Sequence, residues 1–315
     1  MRRMLGLAIM VCACVPAFAG DIDRSVIPAG TKWVVHLDFE AMAKTRLGMS
    51  IYDSAKEEGG YQVDMIADSI GFVPLKDLHS ITVFDDNYLS TSGAVLMRGR
   101  IDPDKLVGLL KNLVACREIE YNNSTIYAFA YPLYGRWDER YSAFVGDDGV
   151  VLAQSEEGIK KVLDVVNDKS LALGSEELVE LDAARGQGTF IRIVGRDISM
   201  PSDTSTQAAM LQNVVAGYIE IGEQGEDLVA SASLVTATEE QAEELKMFTE
   251  GLVSFARMSF SDQSNSSTPS WATMLGNIKI SSKGDTVTAE LKTPVEDVLS
   301  LADQIVRLGA LMAQP

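Results

Sequence analysis

Residues 143–166 read AFVGDDGVVLAQSEEGIKKVLDVV, and their pattern decides the fold class. Two short apolar runs, Ala143 to Gly146 and Val150 to Ala153, flank Asp147-Asp148-Gly149, a composition that favours a tight hairpin turn. Ser155 then stands where a helix N-cap is required, and Glu156 and Glu157 suit the positive end of the helix dipole. Ile159, Val162, Leu163 and Val166 recur at helical spacing and form one apolar stripe. The stretch thus predicts strand, turn, strand and a capped amphipathic helix.

Outward from this segment, the same unit recurs three times. Ala94 to Arg100 runs into Asp102-Pro103, an N-cap followed by proline at the first helical position, with Leu106, Leu109, Leu110 and Leu113 behind it. Tyr218 to Ile221 pairs with Leu228 to Val235, after which Thr238 and Gln241 have capping-box spacing ahead of Leu245, Phe248, Leu252 and Phe255. Asn277 to Ser282, the Lys283-Gly284-Asp285 turn and Thr286 to Lys292 lead to Thr293, Pro294 and Glu296, again a cap, a proline and a capping box, followed by Val298, Leu299, Ala302, Ile305 and Val306.

A lone strand and a helical stretch precede each pair of units: Lys32 to Asp38 with Ala41 to Glu58, and Thr189 to Val194 with Thr206 to Ala216. The chain therefore reads as two halves of similar element order, residues 20–170 and 188–315, joined by a connection over 171–187, as a duplication would produce. Hairpins linked through helices predict the α+β class, with antiparallel sheet and helices packed mainly on one face. One continuous sheet and two separate domains both fit this order. The polar run Ser261 to Ser270 has almost nothing to bury and reads as a surface loop.

The first 19 residues predict export. Arg2 and Arg3 form a basic start, Leu5 to Val15 a short apolar run, and Ala17-Phe18-Ala19 a signal-peptidase site. The apolar run falls short of the roughly twenty residues that span a bilayer, so no membrane span is expected. Val11-Cys12-Ala13-Cys14 loosely matches a lipoprotein box acylated at Cys14, although Cys12 suits it poorly. Either route leads to the periplasm or beyond. Removal of the leader takes Cys12 and Cys14 with it, leaves Cys116 alone, and so rules out a disulfide within the mature chain.

The chain holds 27 basic and 45 acidic residues; the leader removes two of the former and none of the latter, moving the net charge from −18 to −20. Such a field repels nucleic acid and anionic lipid surfaces.

Chemistry-bearing residues are few. Alternation puts Trp33, Val35 and Leu37 on one face of the first strand and His36 with Asp38 on the other. His36 and His79, the only two histidines, could serve with Asp38 as metal ligands or as the base of a hydrolase with a serine or carboxylate. No ligand-spaced histidine cluster and no Gly-x-Ser-x-Gly elbow accompanies them, so the simpler reading is a strand histidine beside a helix N-cap and a second histidine in a loop. Gly186-Gln187-Gly188 lacks the third glycine of a nucleotide loop and precedes a strand where a helix is needed. The Asp85-Asp86-Asn87 and Asp147-Asp148-Gly149 clusters lack calcium-loop spacing and read as turns. No metal or cofactor is expected. Binding character concentrates in Tyr131, Tyr134, Arg136, Trp137, Arg140 and Tyr141, residue types that dominate interface hot spots, here expected in a long hairpin connection.

Three stretches, Ile27 to Asp38, Gly71 to Thr82 and Gly149 to Val166, resemble a family of secreted bacterial proteins with signal peptides and no assigned activity. The motifs involved are a strand start (IPAGT), a helix-to-strand turn (GFVPLKDL) and a helix cap, so the resemblance implies an exported, duplicated α+β protein and carries over no catalytic residue. Residues and resemblance together point to an exported, non-enzymatic binding or structural protein whose partner is a protein, an envelope component or an apolar ligand. The rival class is an envelope-acting hydrolase using His36, Asp38 or His79.

Overall fold

The computed structural model describes residues 22–50, 52–54, 73–88, 93–112, 115–133, 136–178, 181, 188–198, 213–261 and 271–301, excluding the side chains of residues 74, 75, 131–133, 136, 137 and 261. The expected leader, residues 206–212, Tyr134 and nearly all of the Ser261 to Ser270 run lie outside the described residues.

Among the described residues, twelve strands form one open sheet: β1 (Trp33–Asp38), β2 (Leu78–Asp85), β3 (Ala94–Gly99), β4 (Arg117–Tyr121), β5 (Ser124–Leu133), β6 (Arg136–Val145), β7 (Gly149–Ala153), β8 (Thr189–Arg196), β9 (Val214–Gln224), β10 (Asp227–Thr236), β11 (Ile278–Lys283) and β12 (Thr286–Pro294). Their order is β11-β12-β10-β9-β8-β1-β2-β3-β7-β6-β5-β4, and every neighbouring pair is antiparallel. The helices are α1 (Phe39–Met42), α2 (Pro74–Asp77), α3 (Pro103–Lys111), α4 (Glu156–Val166), α5 (Glu239–Ser261) and α6 (Trp271–Gly276), with further helical residues at 46–50, 52–54 and 295–301. This is the α+β class with antiparallel sheet that the capped hairpins require.

The centre of the sheet is the pairing of β1 with β8, which sets Val34 opposite Val194 and His36 opposite Arg192. From β1 outward the order is β1-β2-β3-β7-β6, and from β8 outward it is β8-β9-β10-β12-β11. Each series is a lone strand, a hairpin, and a second hairpin whose later strand pairs first. Among the described residues, the β4–β5 hairpin beyond β6 has no counterpart beyond β11.

Side-chain alternation splits the core between the two faces. On one face, Val34, Leu96 and Val151 pack with Ile159, Val162 and Leu163 of α4 and with Val26, Ile27, Leu173, Leu178 and Leu181. On the other, Ile191, Ile221 and Leu291 pack with Phe39 and Met42 of α1 and with Val295 and Val298, while Leu234 and Val287 receive Ala242 and Leu245 of α5. The capping residues act as their spacing requires. Asp102 accepts from the amides of Asp104 and Lys105, Ser155 from Gly158 at 3.0 Å, and Thr238 from Gln241 at 3.3 Å.

Several local expectations are corrected. The helix expected over Ala41 to Glu58 is interrupted at 43–45, where Thr45 turns its hydroxyl back onto the Met42 carbonyl at 2.7 Å. Of the helix expected over Thr206 to Ala216, the described residues Val214 to Ala216 are strand, because the β-branched Val214 and Val215 begin β9. Pro294 closes β12 instead of opening a helix. Residues Tyr131 to Leu133 and Arg136 to Tyr141, expected in a hairpin loop, are strand. Gly188 holds a φ of +82° where β8 begins, and a Cβ there would stand 2.0 Å from the Glu223 carbonyl oxygen, so only glycine lets the two strands meet.

Candidate functional site

The sequence-derived candidates separate into two places, the β1/β8 seam and the β5–β6 hairpin. At the seam, direct strand pairing lines up Thr82, His36, Arg192 and Glu220 across four strands on the α4 face. His36 is 1% exposed, and its Nδ1 lies 2.8 Å from the Thr82 hydroxyl. Arg192, also buried, donates to the Leu181 carbonyl at 2.5 Å and has its Nε 3.4 Å from Glu220. Asp38 lies on the same face, but its carboxylate caps α1, accepting from the Ala41 amide at 2.8 Å. Ser80, opposite Asp38 in register, is 3% exposed.

Residues 171–178 are tied to the segment before β1 and to the end of β8. Arg24 donates to the carbonyls of Gly174, Glu177 and Leu178 at 2.7–3.0 Å, and the Glu177 carboxylate collects the amides of Gly30 and Gly174 and the guanidinium of Arg196 at 2.9–3.0 Å. The two backbone donors, with Arg196, hold Glu177 below the usual carboxylate range. Ala29 and Leu173 add backbone bonds to Leu171 and Ile27, and the Pro28–Ala172 bridge completes the strap. Arg192 of the seam reaches this region through the Leu181 carbonyl.

His79 joins neither His36 nor Asp38. It belongs to β2, at the irregularity between Leu78 and Ser80, and its Nδ1 bonds the Glu40 carboxylate of α1. The expectation of a loop histidine is corrected here, because β2 starts at Leu78 directly after α2. Sequence alternation placed His36 and Asp38 on one face correctly; it could not show that this face is sealed. Among the described residues, no group of three or more His, Cys, Asp or Glu side chains is placed to hold a metal ion.

The β5–β6 hairpin is different. β4 pairs with β5 only as far as Arg117 opposite Ala128, and β7 pairs with β6 only as far as Ala153 opposite Tyr141. Beyond those points Phe129, Ala130, Tyr131, Pro132 and Leu133 pair solely with Arg140, Glu139, Asp138, Trp137 and Arg136. These five pairs make a two-stranded arm of about 17 Å at ~3.4 Å per residue. Its base is fixed: Tyr141 is in the core and its hydroxyl donates to Glu139, which also receives Arg117 at 2.9 Å. These two donors hold the Glu139 carboxyl below its ordinary range, and the same hydrogen bond, with burial, raises the Tyr141 phenol. Arg140 lies 3.5 Å from Asp138. Of the six expected binding residues, Tyr141 is therefore the anchor, Arg140 the next step out, and Tyr131, Arg136 and Trp137 belong to the arm.

Fold and geometry define a class: an open antiparallel α+β protein with a buried polar row at its central seam and a β-hairpin whose strands pair on past their neighbours. No family model and no curated protein matches the sequence. Among solved structures, the chain is similar to crystal form I of TP0453 from Treponema, with a TM-score of 0.50 over 90% of this chain and 98% of that chain at 8% identity. Crystal form III of the same protein gives 0.48 at 8% identity over 90% and 99%. At this identity the likeness shows the fold alone. No helix among the described residues is long and apolar enough to cross a membrane.

Proposed function

We propose that this chain is an exported, non-enzymatic binding protein of the cell envelope, and that the β5–β6 arm is its contact surface for a partner protein. The observation that carries the reading is the five-pair extension of the arm past both of its neighbours. An isolated two-stranded ribbon is only marginally stable in water, and its unpaired edges are open to a further strand. Tyr131, Tyr134, Arg136 and Trp137 give this stretch of sequence the composition of an interface hot spot. Export rests on the leader-like residues 1–19. The matching strand orders on either side of the β1/β8 pair support descent of the two halves by duplication, with the β4–β5 hairpin and the arm as the first half's own addition.

The arrangement at the seam favours this reading over the hydrolase. A general base must reach its substrate, and His36 is sealed while Asp38 is committed to a helix cap.

The test is photo-crosslinking in intact cells with a benzophenone residue at Trp137, using the exposed Lys292 on the far part of the sheet as control position. A discrete adduct at 137 and none at 292, abolished by Tyr131→Ala with an unchanged melting temperature, supports the assignment. Equal labelling at both positions, or none at 137, overturns it.

A further inference from the structure

Helix α5 carries an outward apolar stripe that the arm and the seam do not use. Over 23 residues it extends about 35 Å at ~1.5 Å per residue. Ala242 and Leu245 face the sheet, whereas Met247 is 58% exposed and Phe255 and Met258 are each 66% exposed, with Leu252 also exposed beside them. Met247, Gly251, Phe255 and Met258 follow at intervals of four, four and three residues, so they lie along one side of the helix. The position of Gly251 is open, with no atom near where a Cβ would stand. In a chain with a net charge of −18, residues 251–261 contain no acidic residue.

We infer that this stripe is the interface of a homodimer in which α5 packs antiparallel against α5 of a second copy. The stripe is complementary to its own reverse. With a twofold axis near residue 253, Met247 of one copy meets Met258 of the other, and Phe255 of one copy lies over the gap at Gly251 of the other. The same axis brings the flanking Glu250 of one copy beside Arg257 of the other. Among the described residues Arg257 forms no ion pair, and its guanidinium lies over Gly276 of α6. All three contacts occur twice by symmetry, as an isologous interface requires. A large side chain opposite a glycine, repeated through a twofold axis, specifies a second copy of this chain more directly than an unrelated partner. The shallow groove lined by Ser254, Arg257, Met258 and Ala272 gives the other copy's Met247 a place to enter.

Sedimentation velocity of the purified chain, in reductant so that Cys116 forms no covalent link, tests the assignment. The expected result is a reversible dimer at concentrations up to about 0.1 mM, well above the micromolar range of modest interfaces. Phe255→Asp weakens it at least about tenfold without lowering the melting temperature. Glu250→Arg and Arg257→Glu each weaken it, and the double variant recovers most of the loss. A monomer throughout that range overturns the inference, as does a dimer indifferent to Phe255→Asp, or a charge-swap pair without recovery. Binding of a monomer to neutral phosphatidylcholine vesicles through the stripe also overturns it.

Discussion

The hydroxyl of Tyr88 donates to the carbonyl of Arg196 at 2.8 Å and approaches that of Lys32 at 3.3 Å, in the space that a side chain at Gly195 would fill. One phenol from the turn after β2 thereby ties the last residue of β8 to the residue before β1, across the central strand pair. Burial raises the Tyr88 pKa to about 12. Because the folded-state value exceeds the unfolded value, the neutral phenol's contribution is complete below about pH 10 and is lost as pH rises toward 12. Tyr88→Phe is expected to cost about 1 kcal/mol near neutrality and to make the alkaline decline in stability shallower. Urea unfolding of both forms between neutral and alkaline pH measures the difference; equal decline in the two would refute it.

Glu177 carries the opposite dependence. Its pKa is depressed in the folded state by the amides of Gly174 and Gly30 and by Arg196. The stabilisation it supplies is therefore present above the ordinary carboxylate pKa of 4.5 and disappears as acid protonates the folded group. Glu177→Gln should flatten the acid limb of the stability curve. It should also speed hydrogen exchange at the Gly30 and Gly174 amides, which lose a charged acceptor. Unchanged protection of both amides would show that the Glu177 carboxylate does not hold the strap.

At the seam, Thr82→Val removes the hydroxyl bonded to His36 Nδ1 while keeping the side-chain shape. Taking one partner from a buried polar pair costs about 1–3 kcal/mol, so the variant should melt lower and still give the Trp137 adduct described above. Loss of that adduct in a fully folded Thr82→Val protein would mean that seam and arm are coupled.

How much of this was legible in the residues depends on the range of the interaction. Ser155, Asp102 and Thr238 declared their helix starts because a cap is satisfied within three residues of itself. The Asp147-Asp148-Gly149 turn and the alternation around His36 are equally local. Asp38 was recognisable as a neighbour of a helix start, and it caps α1. The arm was legible only as composition: Tyr131, Arg136 and Trp137 stood out by type, but their strand conformation depends on cross-strand pairing with residues three to seven positions away. The interruption at 43–45 and the strand at Val214 to Ala216 went unseen, since helical periodicity over a long window masks a single local hydroxyl bond or two β-branched residues.

The sequence by itself determined the α+β class and the helix starts at Asp102, Ser155 and Thr238, because these rest on periodicity and on bonds between residues close in the chain. Only the tertiary structure decided that β1 pairs with β8 to make one continuous sheet, that His36 and Arg192 are buried there, and that the β5–β6 hairpin pairs on past its neighbours. Those features come from pairings between residues as far apart as Arg24 and Gly174. No local propensity encodes them, because their free energy arises only when distant segments bury a common surface.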